Sequence, residues 1–405
     1  MKCGDSTEGV HECSEIGRKL MEKELELYIH IPFCVRKCNY CDFLSFAADE
    51  TVQRQYTDAL CREISGWEGY GDGRVSTVFI GGGTPSILPV REMERILDTV
   101  YRHARMGNET EITMECNPGT ADREKLLAWK NSGINRISFG LQSTDNRELK
   151  RLGRIHTWED FQESWHLARK AGFENLNVDL MSALPGQSTQ SWQKTLNRVL
   201  ELEPEHISAY SLIIEEGTPF YGQYAEADQK RAADESQNLL PSEEEERQMY
   251  EDTLTMLAAH GYHRYEISNY ARPGRECRHN CGYWTGVPYK GFGLGAASFL
   301  YHGRYKNTES MQEYLTGEDP VREWQKLDMT EEMEETMILG LRMMQGVSTR
   351  EFQKKYNVSM KEIYGDVISK YGEMGLLKEE NGRISLTEAG ISVSNVILSD
   401  FLLAE

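Results

Sequence analysis

The stretch Tyr28-Ile-His-Ile-Pro-Phe-Cys34-Val-Arg-Lys-Cys38-Asn-Tyr-Cys41 decides the fold of this chain. An apolar, strand-like run leads directly into three thiols, so a compact loop can aim all three inward. Thiolates suit iron–sulfur clusters or zinc, but structural zinc sites usually take four ligands in two separated pairs. Three clustered cysteines therefore predict a four-iron cluster with one open iron on Cys34, Cys38 and Cys41. A zinc loop or buried free thiols are the alternatives.

Similar units follow this segment along the chain. Short apolar runs alternate with amphipathic helical stretches, which predicts a parallel sheet. Six such units would form an α/β fold, an open, partial (β/α)6 barrel, with functional residues where strands end. The predicted strands are Leu25–Ile31, Thr77–Ile80, Glu111–Glu115, Arg136–Gly140, Leu176–Met181 and His206–Leu212.

Glycines and polar side chains mark the ends of these strands. The second strand runs into Gly81-Gly82-Gly83-Thr84-Pro85, where the backbone must approach something closely. Glu115 ends the third strand, Gln142 follows the fourth and Asp179 lies in the fifth. Each alone could be a strand-end hydrogen-bonding residue, but their repetition on successive strands indicates a shared ligand.

The CxxxCxxC loop followed by GGGTP resembles the radical S-adenosylmethionine (SAM) superfamily. The resemblance implies that the open iron of a [4Fe-4S] cluster binds the amino and carboxylate groups of SAM. The reduced cluster would then cleave the sulfonium to a 5′-deoxyadenosyl radical. The resemblance assigns SAM contacts to Tyr40, Gly82, Gly83, Thr84, Glu115, Gln142, Arg154 and Asp179.

Aromatic residues near the cysteines have two interpretations each. Tyr40 would lie against the adenine or simply pack. Side chains alternate between the two faces of a strand, so Tyr28 and His30, two residues apart, lie on the same face of the first strand. Both could therefore border the bound ligand. A buried, satisfied core histidine is an equal alternative for His30.

Three further motifs resemble those of the oxygen-independent coproporphyrinogen III oxidase family, and they narrow the resemblance from the superfamily to this family. They are Leu149-Lys-Arg-Leu-Gly-Arg154-Ile-His156, Leu184-Pro-Gly-Gln-Ser188 and Glu216-Gly-Thr-Pro219. The decarboxylase branch carries a cysteine two residues after the third cluster ligand, but this chain has Phe43 there. His279-Asn-Cys-Gly-Tyr283-Trp284 is an HNxxYW signature similar to that of the heme-chaperone (HemW) branch.

The branch resemblance implies heme as a further cofactor. His279 would ligate the iron, while Tyr283 and Trp284 would pack on the macrocycle. Alternatively, His279 bonds backbone and the aromatics belong to the core. Cys277 and Cys281 could form a second metal site, although ordinary reduced thiols are the favoured interpretation.

The implied function is a heme chaperone that delivers heme to apoproteins such as respiratory-chain cytochromes. The alternative is an oxygen-independent coproporphyrinogen III dehydrogenase that converts propionates to vinyl groups by radical decarboxylation. Phe43 counts against that enzyme, while the complete cluster and SAM motifs leave enzymatic activity open. The resemblance adds an electron donor such as flavodoxin or ferredoxin if the cluster turns over. It also leaves open that the chain forms a homodimer and that it associates peripherally with respiratory complexes.

Length and pattern suggest how the 405 residues are divided. We predict a flexible tail over residues 1–24, a radical SAM barrel core over 25–225 and an extension over 226–325. Residues 278–305 predict a loop-rich layer over the barrel mouth, and Ser242 with Glu245 predicts a capped helix start. Residues 326–405 predict a small, winged-helix-like α+β domain.

The bulk charge excludes some functions. With 65 acidic and 45 basic residues the formal net charge is -20, which repels nucleic-acid phosphates. The C-terminal segment has no basic stripe for a recognition helix, so we expect no nucleic-acid partner. No apolar run has membrane-spanning length, and the N-terminal residues do not resemble a signal peptide. These features, with nine unevenly spaced cysteines, predict a cytoplasmic protein with reduced thiols.

Overall fold

Six parallel strands form the centre of the fold. The computed structural model describes residues 24–69, 73–231 and 239–403, so the predicted tail lies outside the described residues except for Glu24. Neighbouring strands pair in chain order, which confirms the predicted partial barrel. The strands are β1 (Glu24–Ile31), β2 (Arg74–Gly82), β3 (Met106–Cys116), β4 (Arg136–Gln142), β5 (Leu176–Ser182) and β6 (His206–Ser211).

Helices cover the outside of the barrel. Short polar side chains cap most of their N-termini, as Asp49, Asp122 and Thr157 do by accepting hydrogen bonds from first-turn amides. Strand residues alternate, so every second side chain joins the helices in the apolar core and the others face the lumen. The helices are α1 (Glu50–Gly66), α2 (Val90–His103), α3 (Arg123–Asn131), α4 (Asn146–Arg151), α5 (Trp158–Lys170) and α6 (Thr189–Leu200), with a 3₁₀ turn at Pro85–Ile87.

The extension continues the sheet on both sides. β9 (Tyr289–Phe292) pairs in parallel with β1 and is followed by antiparallel strands, while β8 (Asn269–Ala271) pairs antiparallel with β6. The predicted Ser242–Glu245 capping box starts α8 (Glu243–Ala259) and is confirmed. The elements are α7 (Pro219–Gln229), α8 (Glu243–Ala259), β7 (His263–Arg264), β8 (Asn269–Ala271), α9 (Arg278–Thr285), β9 (Tyr289–Phe292), β10 (Ala297–Leu300), β11 (Gly303–Asn307), α10 (Met311–Thr316) and β12 (Val321–Lys326).

A separate apolar core lies in the C-terminal segment, around a three-stranded antiparallel sheet. Its strands lie in the order β13 (Val347–Ser348), β15 (Arg383–Leu386) and β14 (Leu377–Glu380). Salt bridges fasten it to the rest of the chain, with Arg264 2.6 Å from Glu388 and Arg304 2.9 Å from Glu335. The predicted domain boundaries stay predictions. The elements are α11 (Met329–Gly340), β13 (Val347–Ser348), α12 (Thr349–Tyr356), α13 (Met360–Glu373), β14 (Leu377–Glu380), β15 (Arg383–Leu386), α14 (Glu388–Ser392) and α15 (Ser394–Ser399).

The prediction of a loop-rich layer over the mouth is wrong for residues 278–305. They form α9 and three strands, and α9 packs at the starting ends of β1–β3, opposite the cysteine loop. The prediction of loops rested on the glycines of this segment. Gly291, however, lies in a strand, where a Cβ would collide with the Ala297 carbonyl oxygen. Across the described ranges, no helix combines the length and apolarity needed to span a membrane.

Candidate cofactor site

The cysteine loop is fastened at its base and at its tip. The Cys34 amide donates to the Phe46 carbonyl at 3.0 Å, and the Phe46 amide donates to the Pro32 carbonyl at 2.9 Å. At the tip, the Asn39 amide donates to the Leu152 carbonyl at 2.9 Å. The loop that follows β1 therefore holds its three thiols in a defined place.

The surroundings of the thiols fit a multi-iron cluster. Cys34 Sγ lies 3.3 Å from Thr84 Oγ1, and the Arg154 guanidinium donates to Cys38 Sγ at 3.6 Å. A nearby cation of this kind stabilises thiolate charge. Burial raises the pKa of the Cys41 thiol to about 11, and a hydrogen bond from the Phe43 amide opposes that rise.

No set of three or more His, Cys, Asp or Glu side chains surrounds a single ion position in residues 24–69, 73–231 and 239–403. Three free thiols on one short loop are a donor set that fits a four-iron cluster. The seven cysteines within these ranges are free thiols, including Cys277 and Cys281, while Cys3 and Cys13 lie outside them.

The glycine loop after β2 fits closely against β1. A Cβ on Gly82, whose φ is +110°, would lie 2.5 Å from the His30 ring. A Cβ on Gly83 would lie 2.7 Å from the Phe33 carbonyl oxygen, while its amide donates to the Ile31 carbonyl at 2.8 Å. The glycines therefore let β2 end directly beside the cysteine loop, with Thr84 touching Cys34.

Two carboxyl groups face the lumen beneath the glycine loop. Glu115 accepts a hydrogen bond from the Gly82 amide at 3.0 Å, and burial together with Asp179 raises the pKa of Glu115 to about 8. Asp179 accepts from Asn177 at 2.7 Å and Ser138 at 3.1 Å, and burial raises its pKa as well. A cationic or hydroxyl-rich ligand would restore the interactions that these groups lack.

Gln142 and Arg154 occupy strained or incompletely paired positions. Gln142 has φ +74° at a bulge in the β4–β5 pairing, and its side-chain oxygen Oε1 accepts a hydrogen bond from the Tyr210 hydroxyl at 3.1 Å. Such backbone strain persists where the surrounding structure enforces it, often at ligand sites. The Arg154 guanidinium donates to Asn117 at 2.7 Å and to the Gly140 carbonyl, but its buried Nε has no partner.

Asn117 is a residue that the sequence analysis missed. Its amide group links Arg154 to Thr84, donating to Thr84 Oγ1 at 2.8 Å. The signal for it was its position directly after β3, one residue beyond Cys116.

The aromatic residues near the loop are partly used for packing. The Tyr28 hydroxyl donates to His30 Nδ1 at 3.0 Å, and His30 Nε2 donates to the Leu44 carbonyl at 2.9 Å. His30 is thus a buried, satisfied histidine. Tyr40 packs against an apolar cluster that includes Leu152 and Phe220, beside the cysteines.

His279 lies at the floor of the lumen, where α9 closes it. Its side chain is 2 % exposed, its Nδ1 is 2.7 Å from Thr77 Oγ1, and its ring stacks on Phe79 with centroids 5.1 Å apart. His279 Nε2 is buried without a hydrogen-bond partner. The contact with Glu26 at 3.7 Å is not an ion pair at neutral pH, because burial raises the pKa of Glu26 to about 9 and lowers that of His279 to about 3. Heme ligation by His279 stays a prediction.

A cavity of about 820 Å³ lies beside α9, between the strands β9–β11 and the C-terminal segment. Its volume is within the range of small-molecule sites. Four of the rings that line it, Tyr283, Trp284, Phe299 and Phe352, come from both sides of this interface. The sequence analysis did not find this cavity because its walls come from three separate parts of the chain, namely Phe43, residues 280–304 and residues 332–383.

Stability should respond to pH through the buried carboxyl groups. The pKa values of Glu26 and Glu115 are raised in the folded state to about 9 and about 8, so folding retains protons that the unfolded chain releases. Their stabilising contribution is complete below about pH 4 and is lost as the pH rises towards 8 or 9. Above about pH 7 the buried His279 is neutral in both the folded and the unfolded state, so it adds no pH dependence there. We therefore expect the free energy of unfolding in urea to decrease from pH 7 to pH 8.

Glu26→Gln should reduce this slope by up to about 1 kcal/mol per pH unit, because an amide does not titrate. Urea titrations at four pH values, with the exposed Glu124→Gln as the charge-removal control, measure it. Equal slopes for the wild type and Glu26→Gln would refute this assignment.

Comparison with known proteins gives a consistent result. Residues 28–199 match the model of the radical SAM superfamily, and residues 327–393 match the HemN C-terminal domain. The heme chaperone HemW of Bacillus subtilis is 36% identical over 93% of this chain and 98% of its own length. HemW of Escherichia coli is 40% identical over 67% of this chain and 69% of its own length.

A solved structure shares the whole fold. Coproporphyrinogen III oxidase (HemN) from Escherichia coli superposes with a TM-score of 0.81 over 99% of this chain and 94% of that one, at 21% identity. At this identity the likeness concerns the fold alone.

Proposed function

The chain belongs to the radical SAM family, in the HemW branch of the proteins related to oxygen-independent coproporphyrinogen III oxidase, and on this premise we propose that it is a heme chaperone. It binds heme together with a [4Fe-4S] cluster and SAM, and delivers the heme to apoproteins such as respiratory-chain cytochromes. The observation that carries the proposal is the cavity beside α9.

The walls of the cavity suit a large, flat, mostly apolar ligand. Tyr283 and Trp284 of the HNxxYW segment face Phe352 and Leu339 of the C-terminal segment across it. Aromatic faces pack well on a macrocycle, and apolar walls exclude water from its iron. Trp284 Nε1 is buried without a partner, so it is a free donor at the cavity wall.

Basic side chains on the same walls could pair with heme propionates. Arg304, Lys355 and Arg383 line the cavity. Arg304 is engaged with Glu335 at 2.9 Å, and Arg383 donates to two backbone carbonyls. Lys355 donates a long hydrogen bond of 3.4 Å to Thr336 Oγ1, and its ammonium lies 4.9 Å from the centroid of the Tyr356 ring. Since neither contact is with a carboxylate, Lys355 is the basic group most available to a propionate.

The cavity offers an iron ligand other than His279. Met343 lines the cavity, and a methionine thioether is a known heme ligand. We therefore expect Met343→Ala to shift the heme absorbance spectrum and weaken binding about tenfold, while His279→Ala acts mainly on stability. Parallel anaerobic titrations of both variants measure this. Loss of the iron ligand in His279→Ala alone would restore the sequence-based assignment.

The residues at the barrel mouth would hold the other two cofactors. Cys34, Cys38 and Cys41 would hold the cluster, which in its reduced form would supply one electron to the sulfonium of SAM. Thr84 and the Gly82–Gly83 backbone border the methionine part of SAM. Glu115, Gln142, Asp179 and Arg154 supply acceptors and a cation for its hydroxyl, amino and carboxylate groups, with Tyr28 and Tyr40 as neighbouring rings.

A turnover assay separates the chaperone from the enzyme. Cluster-loaded protein given coproporphyrinogen III, a reductant and SAM should form no protoporphyrinogen, while the same preparation transfers bound heme to an apocytochrome. Sustained protoporphyrinogen formation would instead establish the dehydrogenase. The lumen carboxyl groups and the cysteine loop are the observations that favour the dehydrogenase as a second candidate function. An electron donor such as flavodoxin or ferredoxin, a homodimer and a cytoplasmic location stay predictions.

A further inference from the structure

Asn117 connects two of the three cluster cysteines through one residue on each side. Its Nδ2 donates to Thr84 Oγ1 at 2.8 Å, and its Oδ1 accepts from the Arg154 guanidinium at 2.7 Å. Thr84 Oγ1 in turn lies 3.3 Å from Cys34 Sγ, and Arg154 donates to Cys38 Sγ at 3.6 Å. One side-chain amide therefore holds a polar partner of each sulfur.

The direction of these hydrogen bonds follows from the groups that form them. An arginine guanidinium has only donors, so the oxygen of the Asn117 amide must face Arg154 and its NH2 group must face Thr84. Thr84 Oγ1 thus accepts from Asn117, which leaves its own hydroxyl proton to point at Cys34 Sγ. A cysteine that binds iron is a thiolate and cannot donate, so Thr84 is the donor in this contact.

The backbone of Asn117 is fixed by other neighbours. Its amide donates to Ser86 Oγ at 3.1 Å, and its carbonyl accepts from the Thr120 hydroxyl at 2.6 Å. Pro118 follows directly and disfavours a helical backbone at Asn117. The side-chain amide therefore projects from a backbone that is held in place.

We propose that Asn117 is a positioning residue that raises the reduction potential of the cluster by holding two hydrogen-bond donors on the cysteine sulfurs. The donors are the Thr84 hydroxyl and the Arg154 guanidinium. This inference rests on the cluster assignment within the proposed function and does not depend on heme. One-electron reduction adds negative charge to the cluster and its sulfur ligands, so hydrogen bonds to those sulfurs favour the reduced state. Without the Asn117 amide both donors can turn away, and the reduced state loses that stabilisation.

The test is a redox titration of the reconstituted full-length protein with dithionite, followed by the electron paramagnetic resonance signal of the reduced cluster. SAM is left out because Thr84 and Arg154 are also assigned to its binding. Iron and sulfide analysis confirms cluster loading. We expect Asn117→Ala to lower the ratio of reduced to oxidised cluster about tenfold at a fixed potential, a shift of about 59 mV for a one-electron couple.

Asn135→Ala is the matched control. The Asn135 side chain also joins backbone segments, since its Nδ2 donates to the Thr110 carbonyl at 2.8 Å and its Oδ1 accepts from the Ile112 amide at 2.9 Å. Asn135 directly precedes β4, whereas the cysteine loop follows the end of β1. The cluster of Asn135→Ala should therefore titrate at the wild-type potential.

A double-mutant cycle separates positioning from a general loosening of the site. Thr84→Val removes the hydroxyl that Asn117 holds on Cys34, so only the contact through Arg154 remains for Asn117 to influence. We therefore expect Asn117→Ala to shift the potential less in the Thr84→Val background than in the wild type. Equal shifts in both backgrounds would mean that Asn117 does not act through Thr84, which overturns the inference.

The remaining outcomes are equally specific. A wild-type potential in Asn117→Ala, or the same shift in Asn135→Ala, overturns the inference. If Asn117→Ala does not load its cluster, Asn117→Asp is titrated in its place. A carboxylate has no N–H for Thr84 and draws its hydroxyl away from Cys34, so an unchanged or higher potential in Asn117→Asp overturns the inference. A wild type that loads no iron and sulfide refutes the cluster assignment itself, and this inference with it.

Discussion

Cys38→Ser is expected to leave the protein without its iron–sulfur cluster after anaerobic reconstitution. A serine hydroxyl is a harder, less readily ionised donor than a thiol, so the cube would keep two protein ligands in place of three. Cys38 Sγ also accepts a hydrogen bond from the Arg154 guanidinium at 3.6 Å. A serine hydroxyl would not replace the soft, polarizable sulfur in this contact. We expect iron and sulfide per chain to fall at least about tenfold.

Cys61→Ser is the matched control. Cys61 is a half-buried free thiol on α1, and its sulfur lies 3.8 Å from the Arg95 carbonyl. This variant should load iron and sulfide as the wild type does. Full loading of Cys38→Ser would contradict the assignment of the cluster to this loop.

Gly83→Ala is expected to destabilise the protein and to weaken SAM binding. The added Cβ would lie 2.7 Å from the Phe33 carbonyl oxygen and 2.9 Å from the Ile31 carbonyl oxygen, both backbone atoms that cannot rotate away. The ends of β1 and β2 would have to separate, at a cost of about 2–3 kcal/mol. The cysteine loop follows that same end of β1, so we expect SAM affinity to fall at least about tenfold.

Gly365→Ala gives the opposite control. Gly365 lies in α13, and no atom outside its own helix backbone and chain neighbours lies within 4 Å of an added Cβ. Alanine there should stabilise the protein by about 0.5–1 kcal/mol and leave SAM binding unchanged. Urea unfolding and calorimetric SAM titration measure both variants. A Gly83→Ala protein with the stability and SAM affinity of the wild type would disprove the close packing of this loop.

The barrel could be predicted from the sequence because its signals are local. Each strand is a short apolar run, and the cysteine loop and the glycine loop directly follow the first two of them. The hydrogen-bond network behind these motifs was only partly predictable. Glu115 and Arg154 were predicted as site residues from their positions in the sequence. Asn117 was not, because its link between Arg154 and Thr84 forms only where three loops meet.

The cavity could not be predicted because no local pattern encodes it. Its walls come from the cysteine loop, the region around α9 and β9–β11, and the C-terminal segment. The position of His279 in the fold could not be predicted for the same reason. Its motif identified the branch, but only the packing of α9 against Thr77, Phe79 and Glu26 shows that its ring closes the lumen.

The central claim is that heme occupies the cavity between α9 and the C-terminal segment. Leu339 lines that cavity from α11, and Leu339→Trp would fill part of it without removing a polar contact. Met329→Trp places the same ring on the same helix at a position that is 59 % exposed, outside the cavity.

The decisive measurement is an anaerobic heme titration of these two cluster-loaded variants beside the wild type. The account predicts one heme per chain for the wild type and Met329→Trp, and at least tenfold weaker binding for Leu339→Trp. Wild-type affinity in Leu339→Trp would contradict it and would place the heme elsewhere on the molecule.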